Sequence, residues 1–304
     1  METVVIAGGT GLIGQHLSHL LRGAGFEVLH VSRKANPNAE FPTFAWNPSE
    51  GSLDTTAFER ADFIINLAGA GIADKPWTAA RKRLIIESRT QSAALIEQFL
   101  RRNKHHVKAY FAASAIGYYG NRAADEYLAE NAAIGKGFLA ESTAEWEKAT
   151  QKIAQLGIRT VAFRIGIVLS TQGGALEKML ISFRFLLGTY FGNGKAFCSW
   201  IHIEDLSNLF LFAIQNNTIN GIYNAVAPNP VTNYDLTVAI RNALKRPALL
   251  IPAPAFALRL AMGELADVVL HGSRVSANKI LAAGFKFKFS NATEALINLI
   301  ERKI

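Results

Sequence analysis

The stretch Val4-Val5-Ile6-Ala7-Gly8-Gly9-Thr10-Gly11-Leu12-Ile13-Gly14 decides the fold. An apolar run of strand type stops at a cluster of glycines, and a helix-like pattern over 15–22 starts at once. Two spacings coexist, Gly9-x-Gly11-x-x-Gly14 and Gly8-x-x-Gly11-x-x-Gly14. A turn of this kind holds the pyrophosphate of a dinucleotide. One glycine allows the tight bend, another lets the phosphate approach bare backbone, and the third lets the helix pack on the strand. The backbone N–H groups of the turn and helix start, from Gly8 and Thr10 through Leu12 and Ile13, then face the phosphates, where the helix dipole favours negative charge. The strand before the glycines and the amphipathic segment after them supply the context that a bare glycine motif lacks.

The end of the second strand separates the two nicotinamide cofactors. A free ribose 2′-hydroxyl is usually held by a carboxylate about 20 positions on. Here the strand Phe26-Glu27-Val28-Leu29-His30-Val31 ends in Ser32-Arg33-Lys34, with no carboxylate. Two cations and a hydroxyl suit a 2′-phosphate, so the expected cofactor is NADP(H).

Composition frames the rest. With 304 residues, half of them hydrophobic, and a mean hydropathy of +0.15, the chain can bury a sizeable core. No apolar run approaches the ~18 residues of a membrane helix. The first strand is entered by Thr3, so no leader is expected ahead of it, and Cys198 is the only cysteine, so no intramolecular disulfide forms. A reducing cytoplasm is the expected setting. The net charge of +8 invites a nucleic-acid partner, but the basic residues are scattered and read as solvated faces. No His/Cys/carboxylate cluster has metal-ligand spacing. The expected partner is a small molecule, with neither nucleic acid nor membrane.

Along the chain, apolar runs at 62–67, 107–113 and 159–168 read as buried strands, with helical patterns at 78–103 and 138–156 between them. This alternation predicts an α/β fold, a doubly wound parallel sheet of Rossmann type with ligand at the carboxyl ends of the strands. The rhythm breaks after 169. A glycine-containing segment spans 173–194, a strand 222–226, and prolines cluster up to Pro254 ahead of one long apolar helix at 255–270. The predicted organisation is a dinucleotide-binding domain over 1–170, with 195–240 returning to it. Residues 171–194 and 241–304 form a smaller, mainly helical C-terminal lobe over the cleft.

The chain resembles the extended short-chain dehydrogenase/reductases of the NAD-dependent epimerase/dehydratase type along nearly its whole length. The resemblance rests on Gly8 to Gly14, Asn66-Leu67-Ala68-Gly69, Ser114-Ala115-Ile116-Gly117-Tyr118-Tyr119-Gly120, Arg164-Ile165-Gly166-Ile167-Val168-Leu169, Ile201-His202-Ile203-Glu204-Asp205 and Gly221-Ile222-Tyr223-Asn224. Ala73-Asp74-Lys75, Trp77, Gly173-Gly174-Ala175-Leu176, Ser199-Trp200-Ile201-His202 and Ala283-Gly284-Phe285 suggest an uncharacterised epimerase-like branch with a C-terminal module of unknown function. Members of that branch are often labelled sugar-nucleotide epimerase or cell-division inhibitor. The resemblance implies that Leu67, Ala68 and Gly69 line the cofactor, and that the helices at 78–103 and 138–156 are the faces through which such proteins dimerise.

The catalytic machinery departs from the superfamily. Its usual acid/base is a tyrosine with a lysine four residues later, the cation lowering the phenol pKa towards operating pH. No Tyr-x-x-x-Lys occurs in this chain. The matching stretch is Phe138-Leu139-Ala140-Glu141-Ser142. Phe138 has no proton to exchange and Ser142 supplies no cation. Three residues remain as catalytic candidates. Ser114 matches the superfamily's carbonyl-polarising serine, or else caps the strand end. Tyr118 and Tyr119 follow in the loop expected to line the cleft, with Arg122 as the nearest cation in sequence. Glu141 reads as an exposed helix residue and His202 as a structural histidine, while Arg164 either meets a substrate anion or anchors the fold. Trp77 and Trp200 either line a pocket or fill core. Cys198 stands where sugar-nucleotide enzymes of the superfamily often carry an arginine for the substrate diphosphate. Two functions follow: an NADP(H)-dependent oxidoreductase or epimerase with an atypical proton donor, or an inactive NADPH-binding sensor or regulator.

Overall fold

The computed structural model describes residues 1–122 and 126–301. Eight strands form one sheet: β1 Thr3–Ala7, β2 Glu27–Ser32, β3 Thr43–Asn47, β4 Ser52–Leu53, β5 Phe63–Asn66, β6 Ala109–Ala115, β7 Arg159–Ile165 and β8 Gly221–Ala225. Their order is β8-β7-β6-β5-β1-β2-β3-β4. Every pairing is parallel except β3 with β4. All five residues of β1 are buried, as a central parallel strand covered on both faces requires.

The helices α1 Leu12–Gly23, α2 Thr55–Glu59, α3 Ala79–Arg102, α4 Phe138–Ala154, α5 Gly174–Phe183 and α6 Ile203–Gln215 precede the last sheet strand. Val4 and Ile6 of β1 pack with Leu17 and Leu21 of α1 and with Leu209 and Phe210 of α6. Val5, on the opposite face, packs with Ile96 and Phe99 of α3 and Phe58 of α2. The sheet is therefore doubly wound, and the strand order reverses between β1 and β5, the place where sheets of this kind leave a crevice at the carboxyl ends of the strands. β3 and β4 lie outside the sequence expectation. They are short and half-buried, with Trp46 as their only buried large side chain.

Two expected elements are broken by glycine. The run 159–168 is not one strand. β7 ends at Ile165, and a side chain on Gly166 would fall 2.4 Å from the Ser199 carbonyl. The chain bends there, and Ile167–Leu169 pairs with Trp200–His202 instead of the main sheet. The segment 255–270 is not one helix. After α7 Asn233–Leu244 it forms α8 Ala255–Met262, a 3-10 turn Gly263–Leu265 and α9 Ala266–Leu270, because Gly263 takes φ +58°. α8 buries none of its residues.

In the C-terminal part, α10 Asn278–Ala282 and α11 Ala292–Glu301 complete the helices. Strand Leu187–Phe191 pairs in parallel with Leu249–Ala253. A separate apolar cluster joins Leu176 and Phe183 of α5, Leu236 and Ile240 of α7, and Leu296 and Leu299 of α11. Trp200, fully buried in that cluster, fills core and donates its indole N–H to the Asn229 carbonyl. His202 caps α6, its Nδ1 accepting from the Glu204 N–H, and stacks on Phe289 with ring centroids 4.0 Å apart. Asp205 accepts from the Lys288 and Phe289 N–H groups. Burial, despite those donors, holds its carboxyl above the usual range. Both residues sit at a structural junction, as the sequence suggests for His202. Among the described residues, no helix is long and apolar enough to cross a membrane.

Candidate active site

The glycine turn is built on close approaches. Gly8 has φ +80°, and a side chain there would fall 2.9 Å from the Leu67 carbonyl carbon. At Gly14 a Cβ would lie 2.5 Å from the Gly8 oxygen, so any larger residue would push α1 off the turn. The first helical bond runs from Gln15 N–H to the Gly11 carbonyl, which leaves the N–H groups of Leu12, Ile13 and Gly14 without helical partners. α1 has no side-chain cap and no acidic residue in its first turn. Nothing at that terminus competes with an anion.

Beneath the turn lies His30. A Cβ at Gly9 would fall 2.3 Å from its ring, so bare backbone is needed at Gly9 because His30 fills the space. Ser18 gives its one hydroxyl proton to the Gly14 carbonyl at 2.7 Å, so His30 Nε2, 2.7 Å from Ser18 Oγ, must donate to that hydroxyl oxygen. Burial lowers the His30 pKa from 6.5 to about 4, so the ring is neutral at physiological pH. Past the end of β2, Arg33 and Lys34 are exposed, Ser32 is half-buried, and neither cation bonds to any described residue. A 2′-phosphate would find both cations available.

At the end of β5, Asn66 is fully buried and orders the next loop. Its Oδ1 accepts from the Ala68 N–H, and its Nδ2 donates to Ser92 and Tyr110. The Leu67 N–H donates to the Ala7 carbonyl, which holds Leu67, Ala68 and Gly69 beside the glycine turn. Arg89 of α3 lies against Gly69, with its guanidinium carbon 2.9 Å from where a Gly69 Cβ would be.

The far end of the crevice is organised differently. Ser114, at the end of β6, is buried and donates its hydroxyl proton to Glu147 Oε1 at 2.6 Å. Glu147 makes a two-pronged ion pair with Arg164, both bonds 2.8 Å long. Burial works against the Arg164 charge, yet Glu147 and then Tyr119 hold its pKa above the ordinary arginine value. Arg164 therefore anchors β7 to α4. Its Nη1 also donates to the Tyr119 hydroxyl at 3.0 Å, and that hydroxyl donates to Asn224 Oδ1 at 2.7 Å.

The two adjacent tyrosines thus have different surroundings. Tyr119 is fully buried, its hydroxyl committed, and burial raises its pKa. Tyr118 is half-buried, its hydroxyl bonds to no described residue, and its ring lies under the Arg164 guanidinium, 3.5 Å from centroid to Cζ. The cation beside the tyrosines is Arg164, not Arg122, whose guanidinium donates to the carbonyls of Tyr119 and Ala133.

The positions of the missing acid/base pair are occupied. The Phe138 ring meets Trp77 edge-on at 4.9 Å, and the Lys82 ammonium lies 5.4 Å over it. Lys82 in turn pairs with Glu264 of the 3-10 turn after α8. Ser142 is buried and donates back to the Leu139 carbonyl within its own helix. Glu141 is exposed, and Cys198 is buried, its thiol pushed up to about 11 by burial. No metal-binding group of side chains occurs among the described residues.

Sequence reasoning missed Glu147 and Arg89. Both fall on buried helix stripes, Glu147 beside Trp146 and Thr150, and Arg89 between Ile85 and Ser92. A charged residue on an apolar stripe is the signal that could have found them.

The chain is similar to known proteins along its length. The model of the NAD dependent epimerase/dehydratase family matches residues 4–225, and that of a domain of unknown function (DUF1731) matches 253–299. An epimerase family protein of Mycobacterium leprae is 37% identical over 96% of this chain and 94% of its own. One from Bacillus subtilis is 34% identical over 98% and 97%. The crystal structure of a human epimerase family protein with NADPH superposes with a TM-score of 0.88 at 30% identity, covering 98% of this chain and 99% of that one.

Proposed function

This chain belongs to the NAD dependent epimerase/dehydratase family, and from that premise we propose that it is an NADP(H)-dependent oxidoreductase or epimerase acting on a small carbonyl- or sugar-type molecule, with Tyr118 as proton donor. The observation that carries the cofactor is the unpaired Arg33–Lys34 step after β2, with no carboxylate in the place that would take a ribose hydroxyl. The human relative's complex with NADPH supports it. The residues present fit the group: free N–H donors at α1, a cradle that a Cβ at Gly8 or Gly14 would fill, and two available cations.

A bound NADP(H) supplies the hydride donor or acceptor. The chain's own part is to hold the reacting carbonyl at the ends of β5 and β6 and to move one proton. Tyr118 suits that step, because its hydroxyl is uncommitted and a guanidinium lies on its ring face. During reduction it gives its proton to the substrate oxygen as charge develops there, and solvent returns one. Ser114, whose proton goes to Glu147, fixes the carboxylate that holds Arg164 against the tyrosines.

A second reading is favoured by one observation. Trp77, Lys82 and Glu264 close over Phe138, where the usual acid/base would stand, as an NADPH-binding sensor without chemistry would allow. The test is loss of NADPH absorbance against a panel of ketones, aldehydes and keto sugars, with chromatography of a sugar panel for epimerised product, since epimerisation leaves the cofactor unchanged. The enzyme reading expects turnover that Tyr118→Phe lowers by about 10²–10⁴-fold. Binding of NADPH with neither cofactor oxidation nor epimerised product across the panel decides for the sensor, and turnover untouched by Tyr118→Phe removes the tyrosine from the chemistry.

A further inference from the structure

Arg89 is a cation without a counter-ion in the wall of the crevice. Its Nη1 donates to the Ile85 carbonyl at 2.9 Å, and no described carboxylate pairs with it. Its guanidinium carbon lies 5.0 Å from the centroid of the Trp146 ring, and the Trp146 indole N–H is buried with no described partner. Donors outnumber acceptors here, which calls for a ligand rich in acceptors.

The location says which ligand. On one side, Arg89 is packed against Gly69, whose neighbours Leu67 and Ala68 lie 2.9–3.0 Å from where a Gly8 Cβ would be. The phosphate-binding turn, the loop after β5 and Arg89 thus form one continuous wall. On the other side, Trp146 is one helical turn beyond Ser142, which occupies the place of the missing lysine. Arg89 therefore lies between the phosphate turn and the vacated lysine position.

The geometry points to Arg89 as the residue that grips the ribosyl-pyrophosphate segment of NADP(H) on its nicotinamide side, supplying from α3 the positive charge that a lysine on α4 would otherwise bring. This assignment rests on the reading of the turn as an NADP(H) site. Burial, and then repulsion from Arg81, push the Arg89 pKa down to about 10. A cation held at that disadvantage gains from an anionic ligand more than an exposed one does.

The test compares NADPH with 2′,5′-ADP, which keeps the 2′-phosphate and adenosine but lacks the second phosphate and the nicotinamide ribose. Arg89→Gln is expected to weaken NADPH by about 10- to 100-fold and to leave 2′,5′-ADP within about twofold. Arg89→Lys, which keeps the charge, gives a smaller loss that is still selective for NADPH, and it carries the comparison where the Gln variant does not fold. Unchanged NADPH affinity, or equal losses for both nucleotides, overturns the assignment. A wild-type chain that binds neither nucleotide overturns the cofactor reading along with it, whereas wild-type binding with an indifferent Arg89→Gln overturns the Arg89 role alone.

Discussion

The two ends of the crevice use their polar groups in opposite ways. At the glycine turn they are left unspent: the N–H groups of Leu12, Ile13 and Gly14 and the side chains of Arg33 and Lys34 bond to nothing in the described chain. Around α4 they are consumed internally. Ser114 bonds to Glu147, Glu147 to Arg164, Arg164 to Tyr119, Tyr119 to Asn224, and Ser142 to its own helix. A binding end is recognised by donors held open. The end that lacks the usual tyrosine–lysine pair is marked by closed chains of hydrogen bonds, with the Tyr118 hydroxyl and the Trp146 indole N–H as exceptions.

The contrast breaks most easily at Glu147. Arg164 is only 2% exposed, so Glu147→Ala leaves a buried cation without its partner and is expected to cost about 3–5 kcal/mol in urea unfolding. A loss below about 1 kcal/mol would mean that the α4 end is as open to water as a surface pair.

Next in size is a pH effect at the opposite end. His30 has a folded pKa of about 4 against 6.5 when unfolded, so the unfolded chain takes up the proton first as pH falls. Its contribution is fully present above pH 6.5 and is lost as pH drops to about 4, by up to about 3 kcal/mol. Denaturation across that window should show the decline, and His30→Gln should flatten it. A Gln variant with the same slope would place the titration elsewhere.

The smallest effect sharpens the unspent end. Neutralising Arg33 and Lys34 together should weaken NADPH by about 10- to 100-fold, roughly 1.5–3 kcal/mol, and leave NADH nearly unchanged. Equal losses for the two cofactors would refute the 2′-phosphate assignment.

What the sequence made legible follows the same division. The glycine turn is local backbone geometry, so Gly8, Gly11 and Gly14 can be read from eleven consecutive residues. The step Ser32-Arg33-Lys34 is legible as two exposed cations without a carboxylate beside them, because that too is local sequence. The Ser114–Glu147–Arg164 chain is not, because it joins β6, α4 and β7 across 33 and 17 positions, and no periodicity names a partner. The long apolar runs 159–168 and 255–270 mislead for a related reason. Hydropathy passes over Gly166 and Gly263, and only the Ser199 carbonyl and the positive φ show that the chain turns there. Tyr118 and Tyr119 are equivalent as letters and separate only once the burial of one hydroxyl is known.

The late arrival of β8 shapes how the chain is made. β8 pairs with β7, yet its last residue is synthesised roughly sixty residues after β7 ends, which takes several seconds at about 5–20 residues per second. Throughout that interval Val161, Ala162 and Phe163 belong to a strand whose outer hydrogen-bonding edge has no partner. An apolar parallel strand in that condition is a template for any extended segment nearby. On the ribosome, the parallel sheet carries an open edge that is closed only after residues 166–220 have been made.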